Sequence, residues 1–367
     1  MYKSFRVKNF RCFKDLQIND LGRVNLIAGK NNTGKTVLLE ALAIYCGDRS
    51  AKTLLRSDEQ LYTRSTRLDL GASSVVNLDS LFYEFDTSRQ VQVSSQCTSE
   101  SRCQAPLFMR RIDMGTDEYE SVLGNLKGAE FRNVRGSSQE FYEPADMVKI
   151  SYDTDDNVVY IMLAQGELLT NRYSQRAKFP YVLVRANDGF GQRAIANQFS
   201  GIRMSRGVDA LVKIVQALDP RITDLELLYD GLRPQIYAEI GLPKLVSINH
   251  MGDGINRFIG LILSMGELND GLISIDEIEN GIHHSVQCKV WQAIGKLAHE
   301  LDIQVFATTH SLEMIRAAYE AFKDDDPYEF RYHRLDRKAD GNIEAVTYNK
   351  YGMDAVAAFD FEHEVRG

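Results

Sequence analysis

No run in the sequence approaches the ~20 consecutive apolar residues that a membrane span requires, so no membrane helix is predicted. The opening MYKSFRVKNFRCF mixes charge with aromatics and lacks the apolar core of a secretion signal. Cysteine is sparse. Cys12, Cys46, Cys97, Cys103 and Cys288 are an odd number at irregular spacing, which predicts reduced thiols rather than a disulfide frame or a zinc site. These absences together predict a cytoplasmic protein. Positive charge is also short. The 43 Lys and Arg stand against 51 Asp and Glu, a net charge of −8, which argues against a surface coated in basic residues for nucleic acid. Sharp linkers and internal repeats are missing as well. What is present, 44% hydrophobic and 26% charged residues over 367 positions, suffices for ordinary folded cores.

Local charge departs from this average at the start, where Lys3, Arg6, Lys8, Arg11 and Lys14 precede the first acid, Asp15. Such a cluster fits a solvated strand face or contact with a phosphate backbone, and the sequence leaves both open. Phe5, Val7, Phe10 and Phe13 predict one strand with an aromatic end. Val24 to Ala28 forms a second strand, followed by a glycine-rich loop and then by Lys35 to Ile44, which has the composition of a buried helix. From Arg49 to Asn171, short alternating runs such as Gln90 to Val93 and Val158 to Met162 predict antiparallel strands, with Ser94 to Pro106 as an exposed loop.

From Phe179 onward strands and helices alternate. Strands are predicted at 181–184, 272–275 and 303–309, helices at 207–218, 255–265, 285–301 and 311–322, and a closing hairpin turns around Asp340-Gly341. That order predicts an α/β fold with a mostly parallel sheet and sites at the strands' carboxyl ends, plus an antiparallel β lobe. The domain reading is a discontinuous core, 1–48 and 179–367, with 49–178 as a β-rich elaboration of its first lobe.

Gly29-Lys30-Asn31-Asn32-Thr33-Gly34-Lys35-Thr36 fits G-x-x-x-x-G-K-[ST] at every fixed position. In such a loop the glycines let the backbone curl until successive N–H groups face one anion. The following helix adds its N-terminal dipole. Lys35 is placed to neutralise β- and γ-phosphate charge, and the Thr36 hydroxyl to ligate Mg²⁺. A chance match in a chain this long is on the order of one in a hundred.

Leu272-Ile273-Ser274-Ile275-Asp276-Glu277 is an apolar strand ending in paired carboxylates. Asp276 is placed to hold the Mg²⁺ shell, and Glu277 to take a proton from the attacking water. Alternate side chains of a strand face opposite ways, so the turn after Ile275 must re-aim one of the two. Val305 to Thr309 is a second core strand, and His310 at its carboxyl end can donate to a γ-phosphate. Met251-Gly252-Asp253-Gly254-Ile255-Asn256-Arg257 opens a helix just upstream of the acidic strand. It fits either a phosphate-facing turn or a plain helix start.

These four segments, in that order, resemble the ATP-binding-cassette ATPases, in the branch with structural-maintenance-of-chromosomes and recombination-type heads. The likeness is strongest to the ATPase domain of the overcoming-lysogenization-defect family. Phe5-Arg6-Val7-Lys8-Asn9-Phe10-Arg11-Cys12-Phe13 resembles that group's "I-x-N-F-R-x-F" start. Asp276-Glu277-Ile278-Glu279-Asn280-Gly281-Ile282-His283 resembles its acidic strand with a dimer-facing loop, and Thr308-Thr309-His310-Ser311 its switch histidine. The resemblance implies ATP and Mg²⁺ as substrate and cofactor, and a head-to-tail homodimer around two ATP molecules. In that dimer Gly252, Asp253 and Gly254 cover the γ-phosphate of the opposite subunit.

Two further absences set this chain apart from the pattern. The signature L-S-G-G-Q is missing, with Gly-Asp-Gly in its place, and the chain ends at Gly367 without the metal-dependent nuclease that follows the ATPase in that family. Asp153 to Asp156 and Asp324 to Asp326 read as solvated loops, since neither sits on an apolar strand end. No long coiled-coil arm is visible. The expected function is a stand-alone ATPase regulating a separately encoded effector, a nuclease or toxin, in DNA transactions or phage defence. The alternative is a repair clamp of the recombination-mediator type that binds DNA in an ATP-dependent way without an effector.

Overall fold

The computed structural model describes residues 1–46, 78–99, 103–126, 131–133, 138–139, 146–152, 158–164, 167–171, 180–186, 192–231 and 233–359. The acidic run Asp153 to Asp156 lies outside the described residues. The chain divides into two units. One holds Met1–Asp20, Asn31–Tyr181 and Leu335–Ala345, and the other Leu21–Lys30, Val182–Arg334 and Val346–Gly367. Among the described residues no helix is long and apolar enough to cross a membrane.

The chain starts with β1 (Tyr2–Phe10), β2 (Phe13–Ile18) and β3 (Val24–Gly29), and α1 (Lys35–Cys46) follows the glycine loop. Next come β4 (Val91–Cys97), β5 (Leu107–Arg111), α2 (Asp117–Leu126), β6 (Phe131–Asn133) and β7 (Ser138–Gln139). β8 (Asp146–Tyr152), β9 (Val158–Ala164) and β10 (Glu167–Asn171) complete the first unit's sheet. Its strand order is β2-β1-β4-β5-β8-β9-β10-β6-β7.

The single strand expected over Phe5 to Phe13 is two. Asn9 and Arg11 take left-handed backbone (φ 53° and 50°), and Phe10 pairs with Phe13, so the run folds into the β1–β2 hairpin. Alternation along β1 buries Phe5 and Val7 and leaves Lys3 exposed and Arg6 and Lys8 half-buried. The basic cluster is partly neutralised. Arg6 grips Asp15 on the neighbouring strand with two hydrogen bonds, of 2.8 and 2.6 Å, and Arg11 lies 3.5 Å from the buried Glu40.

The loop expected from Ser94 begins later, because β4 runs on to Cys97, opposite Tyr2 of β1. Reduced cysteines were expected throughout, but Cys97 and Cys103 form a disulfide across a Cα–Cα distance of 5.4 Å. β4 and β5 are antiparallel neighbours, with Val93 opposite Leu107. The antiparallel pairing brings the end of β4 and the approach to β5 close together, and with them the Cα atoms of Cys97 and Cys103 into disulfide range. Cys12, Cys46 and Cys288 are free.

In the second unit, β11 (Tyr181–Val184) precedes α3 (Gln192–Met204) and α4 (Val208–Val215). A small antiparallel sheet of β12 (Asp224–Asp230), β13 (Arg233–Glu239) and β14 (Val246–Ser247) comes next, an element the sequence reading did not separate out. Then follow α5 (Asp253–Gly266), β15 (Leu272–Ile275), α6 (Gln287–Glu300), β16 (Gln304–Thr308) and α7 (Leu312–Phe322). β17 (Phe330–Arg337), β18 (Ile343–Tyr348) and α8 (Lys350–Phe359) are the last of the described elements.

The six-stranded sheet runs β11-β15-β16-β3-β17-β18, with β15, β16 and β3 parallel. Strands covered on both faces need uninterrupted apolar runs rather than alternation, and every residue of β15 and β16 is buried. Ile273, Ile275, Val305 and Leu26 share one core with Phe258 and Leu261 of α5, Trp291 and Ile294 of α6, and Ile315 of α7.

Candidate functional site

The unit boundary falls inside the glycine loop, between Lys30 and Asn31. Gly29, at the end of β3, has φ 148°. On the first unit's side Asn32 and Gly34 take φ of 64° and 85°. Gly34 has no room for a side chain, since a Cβ there would lie 2.7 Å from Cys12 Sγ and from the Phe13 ring. The tip of the β1–β2 hairpin thus buttresses the loop, which gives the aromatic start of the sequence a structural task. Burial pushes the Cys12 thiol up to about 11, so it packs there as a neutral thiol. Arg337 donates to Asn32 O at 2.8 Å and holds the loop's outer turn. Lys30, Asn31 and Asn32 are exposed, whereas Thr33 and Lys35 are buried, and Thr36 is half-buried at the opening of α1.

In the second unit, the parallel register sets Ile275 beside Ala307 and Thr308 beside Ile27. The carboxyl ends of β15, β16 and β3 are therefore neighbours, and they carry Asp276-Glu277, His310 and Gly29-Lys30. Adjacent strands lie about 4.8 Å apart, so the acidic end and the start of the glycine loop are separated by about 10 Å.

Asp276 is buried, and its backbone N–H donates to Val184 O at 2.8 Å. Thr308 ties the two carboxylate residues together. Its hydroxyl donates to Asp276 Oδ1 at 2.7 Å and accepts from the Glu277 N–H at 2.9 Å. Glu277 has φ 50°. This left-handed residue is the turn that the alternation argument requires, and it swings Glu277 off the path of a regular strand. Arg257 of α5 donates to Asp276 O at 2.8 Å and to Glu277 O at 3.1 Å. His310 is exposed, and its backbone N–H donates to Glu279 Oε1 at 2.7 Å.

Gly252, with φ 106°, caps α5, and Asp253 and Gly254 form its first turn. Gly252 and Asp253 are exposed. A Cβ on Gly254 would stand 2.0 Å from Gly281 O, so this turn touches the loop that follows the acidic strand.

Within the second unit the structure thus gathers Gly29, Lys30, Asp276, Glu277 and His310 at neighbouring strand ends, and sets Gly254 against the acidic loop. Sequence reasoning missed Thr308, Arg257 and Arg337 as supports. Thr308 and Arg257 lay inside segments already singled out, and their spacing to Asp276 carried no signal because the contacts are tertiary.

Two family models match the sequence. One, described as "AAA domain, putative AbiEii toxin, Type IV TA system", covers residues 149–316, and the other, described as "AAA ATPase domain", covers residues 1–97. An "ATP/GTP phosphatase" of Helicobacter pylori is 23% identical over 344 residues, covering 89% of this chain and 90% of that protein. The Smc head bound to the C-winged helix domain of ScpA is a structural neighbour with a TM-score of 0.52 at 12% identity, covering 96% of this chain and 99% of that one. An Smc head with an extended coiled coil, bound to the C-terminal domain of ScpA derived from Pyrococcus furiosus, matches with a TM-score of 0.51 at 12% identity, over 98% and 99% of the two chains. The fold is that of an ABC-type P-loop head, with an α/β sheet and a separate antiparallel sheet. The two family models and the Helicobacter pylori relative support an ATPase, and the Smc heads share its fold.

Proposed function

We propose that this chain binds and hydrolyses ATP at Gly29 to Thr36, working as an ATP-sandwiched homodimer that regulates a separately encoded nuclease or toxin. The observation that carries the reading is the adjacency of the β15, β16 and β3 ends, which brings the acidic pair and the histidine strand beside the start of the glycine loop. The core of the ATPase is 1–48 with 179–367, and 49–178 elaborates its first lobe. Lys30, Asn31, Asn32 and Thr33 offer backbone N–H groups to the phosphates, and Lys35 neutralises their charge. Glu277 accepts the proton of the attacking water, and His310 donates to the γ-phosphate.

Thr36 and Asp276 would hold Mg²⁺. A hydroxyl and a carboxylate are hard oxygen ligands, which suit this ion when phosphate oxygens and water complete its shell. Among the described residues no group of three or more His, Cys, Asp or Glu could hold a metal by itself, so the donor set fits an ion that arrives with the nucleotide. When bound, Mg²⁺ supplies charge neutralisation across the β- and γ-phosphates.

The likeness to the overcoming-lysogenization-defect ATPases supports the dimer, in which Gly252 to Gly254 of one copy cover the γ-phosphate held by the other. Several comparisons point toward a protein partner. One family description names a toxin of a toxin–antitoxin system, and both Smc heads are bound to ScpA. The DNA-clamp alternative draws on the basic start, but Arg6 and Arg11 are ion-paired there. In this reading its site of action is the cytoplasm.

Purified wild type and Glu277→Gln test this reading through mass and turnover, with and without ATP and DNA. Wild type should hydrolyse ATP, and the variant should bind ATP, dimerise and lose ~10²–10⁴ in rate. A variant that turns over like wild type refutes the assignment of Glu277. Strong, salt-sensitive DNA binding by the ATP-bound form would favour the clamp.

A further inference from the structure

This inference rests on the reading above, in which Glu277 activates the attacking water. Asn280 follows three residues later, and its Nδ2 donates to Glu277 Oε2 at 2.9 Å and to Ala186 O at 3.4 Å. Its backbone N–H donates to Glu277 O at 3.0 Å, closing a turn that brings the amide back over the carboxylate. The next residue, Gly281, has φ 75°. A Cβ on Gly281 would meet Gly254 Cα at 3.3 Å, and one on Gly254 would meet Gly281 O at 2.0 Å. The two loops therefore touch through bare backbone, and Asn280 stands between that contact and the Glu277 carboxylate.

We propose that Asn280 is the positioning residue for Glu277, and that the Gly254–Gly281 contact couples its hold on the carboxylate to the glycine turn at the start of α5. A neutral amide suits the task, since it fixes the direction of the carboxylate without cancelling its charge. The neighbouring bonds leave Asn280 the part that varies. Arg257 and Thr308 hold the backbone of Asp276 and Glu277, whereas Asn280 holds the reacting end of the Glu277 side chain. A shift of the glycine turn would move Gly281 by direct contact, and Asn280 with it.

The test compares the full chain with Asn280→Ala, Asn280→Asp and Glu277→Gln, measuring turnover, affinity for the slowly hydrolysed analogue ATPγS, and melting temperature. Asn280→Ala should lower kcat about 10- to 100-fold, as misplacing a reacting group does, with affinity within about twofold of wild type. Asn280→Asp keeps the size but turns a donor into a second carboxylate facing Glu277, so its kcat should fall further. Wild-type turnover in both Asn280 variants, with Glu277→Gln inactive, overturns the inference while sparing the assignment of Glu277. Loss of affinity or folding in step with kcat in both variants also overturns it, because it makes Asn280 merely structural. Wild-type turnover in Glu277→Gln removes the assignment of Glu277, and this inference with it. Gly281→Ala combined with Asn280→Ala should lower kcat no further than the stronger single change, whereas additive effects would break the proposed link.

Discussion

Thr308→Val is the change that most directly tests how the acidic strand end is built. Thr308 is fully buried at the end of β16, and its hydroxyl serves two groups at once, Asp276 Oδ1 at 2.7 Å and the Glu277 N–H at 2.9 Å. Valine has the same shape, so nothing is lost in packing and one buried methyl, worth about 0.8 kcal/mol, is gained. Against that stands a hydrogen bond to a carboxylate, about 1.5–3 kcal/mol, and an N–H left without its acceptor, about 1–3 kcal/mol. The balance is a loss of about 3 kcal/mol. Thr308→Ser keeps the hydroxyl and removes only the methyl, for about 1 kcal/mol. The two variants should therefore be separated by about 2 kcal/mol, in the direction opposite to hydrophobicity. Urea unfolding followed by fluorescence reads this cleanly, because the sole tryptophan, Trp291, is buried in the core of the same unit. If Thr308→Val is as stable as Thr308→Ser, the bridging role is wrong.

The disulfide assignment predicts three free thiols in the denatured, unreduced protein, Cys12, Cys46 and Cys288. A count of five would refute it. Replacing Cys97 and Cys103 with serine should cost about 2 kcal/mol by the loop-entropy relation for so short a loop. Arg6 holds the Asp15 carboxyl below the usual carboxylate range. A depressed folded pKa stabilises above the unfolded value of about 3.9 and is lost as pH falls through the folded value. Both side chains are about 40% exposed, so Asp15→Asn should cost under about 1 kcal/mol at pH 7. The gap should narrow progressively as unfolding is measured at pH values falling below about 3.9, and a gap that stays constant would refute the pairing.

The glycine loop and the two strands beside it were legible because their signals are local. Gly29 to Thr36 spells out its own backbone, and the apolar runs at Leu272 to Ile275 and Val305 to Thr308 can only be strands covered on both faces. The β1–β2 turn was not legible. It is made at Asn9 and Arg11, with neither glycine nor proline to mark it, and aromatics on both sides imitate one continuous strand. The disulfide was hidden for a related reason, since the spacing of Cys97 and Cys103 means little until β4 and β5 are known to double back. Thr308, Arg257 and Asn280 could be quoted from the sequence but not assigned. Each acts on a group whose place is set by the sheet.

The acidic pair shows why the supports matter as much as the motif. In a regular strand Glu277 would point away from Asp276, and bringing both to one end requires a left-handed residue, which costs a non-glycine side chain about 1–2 kcal/mol. Glycine would relieve that strain but would remove the carboxylate. The chain keeps the glutamate and offsets the strain with bonds to every polar group that the turn displaces. Thr308 takes the N–H of Glu277, Arg257 takes its carbonyl, and Asn280 takes its carboxylate. A residue held at three points in an unfavourable conformation has little freedom left, and the proposed role of Glu277, which needs its carboxylate aimed in one direction, gains from that restriction.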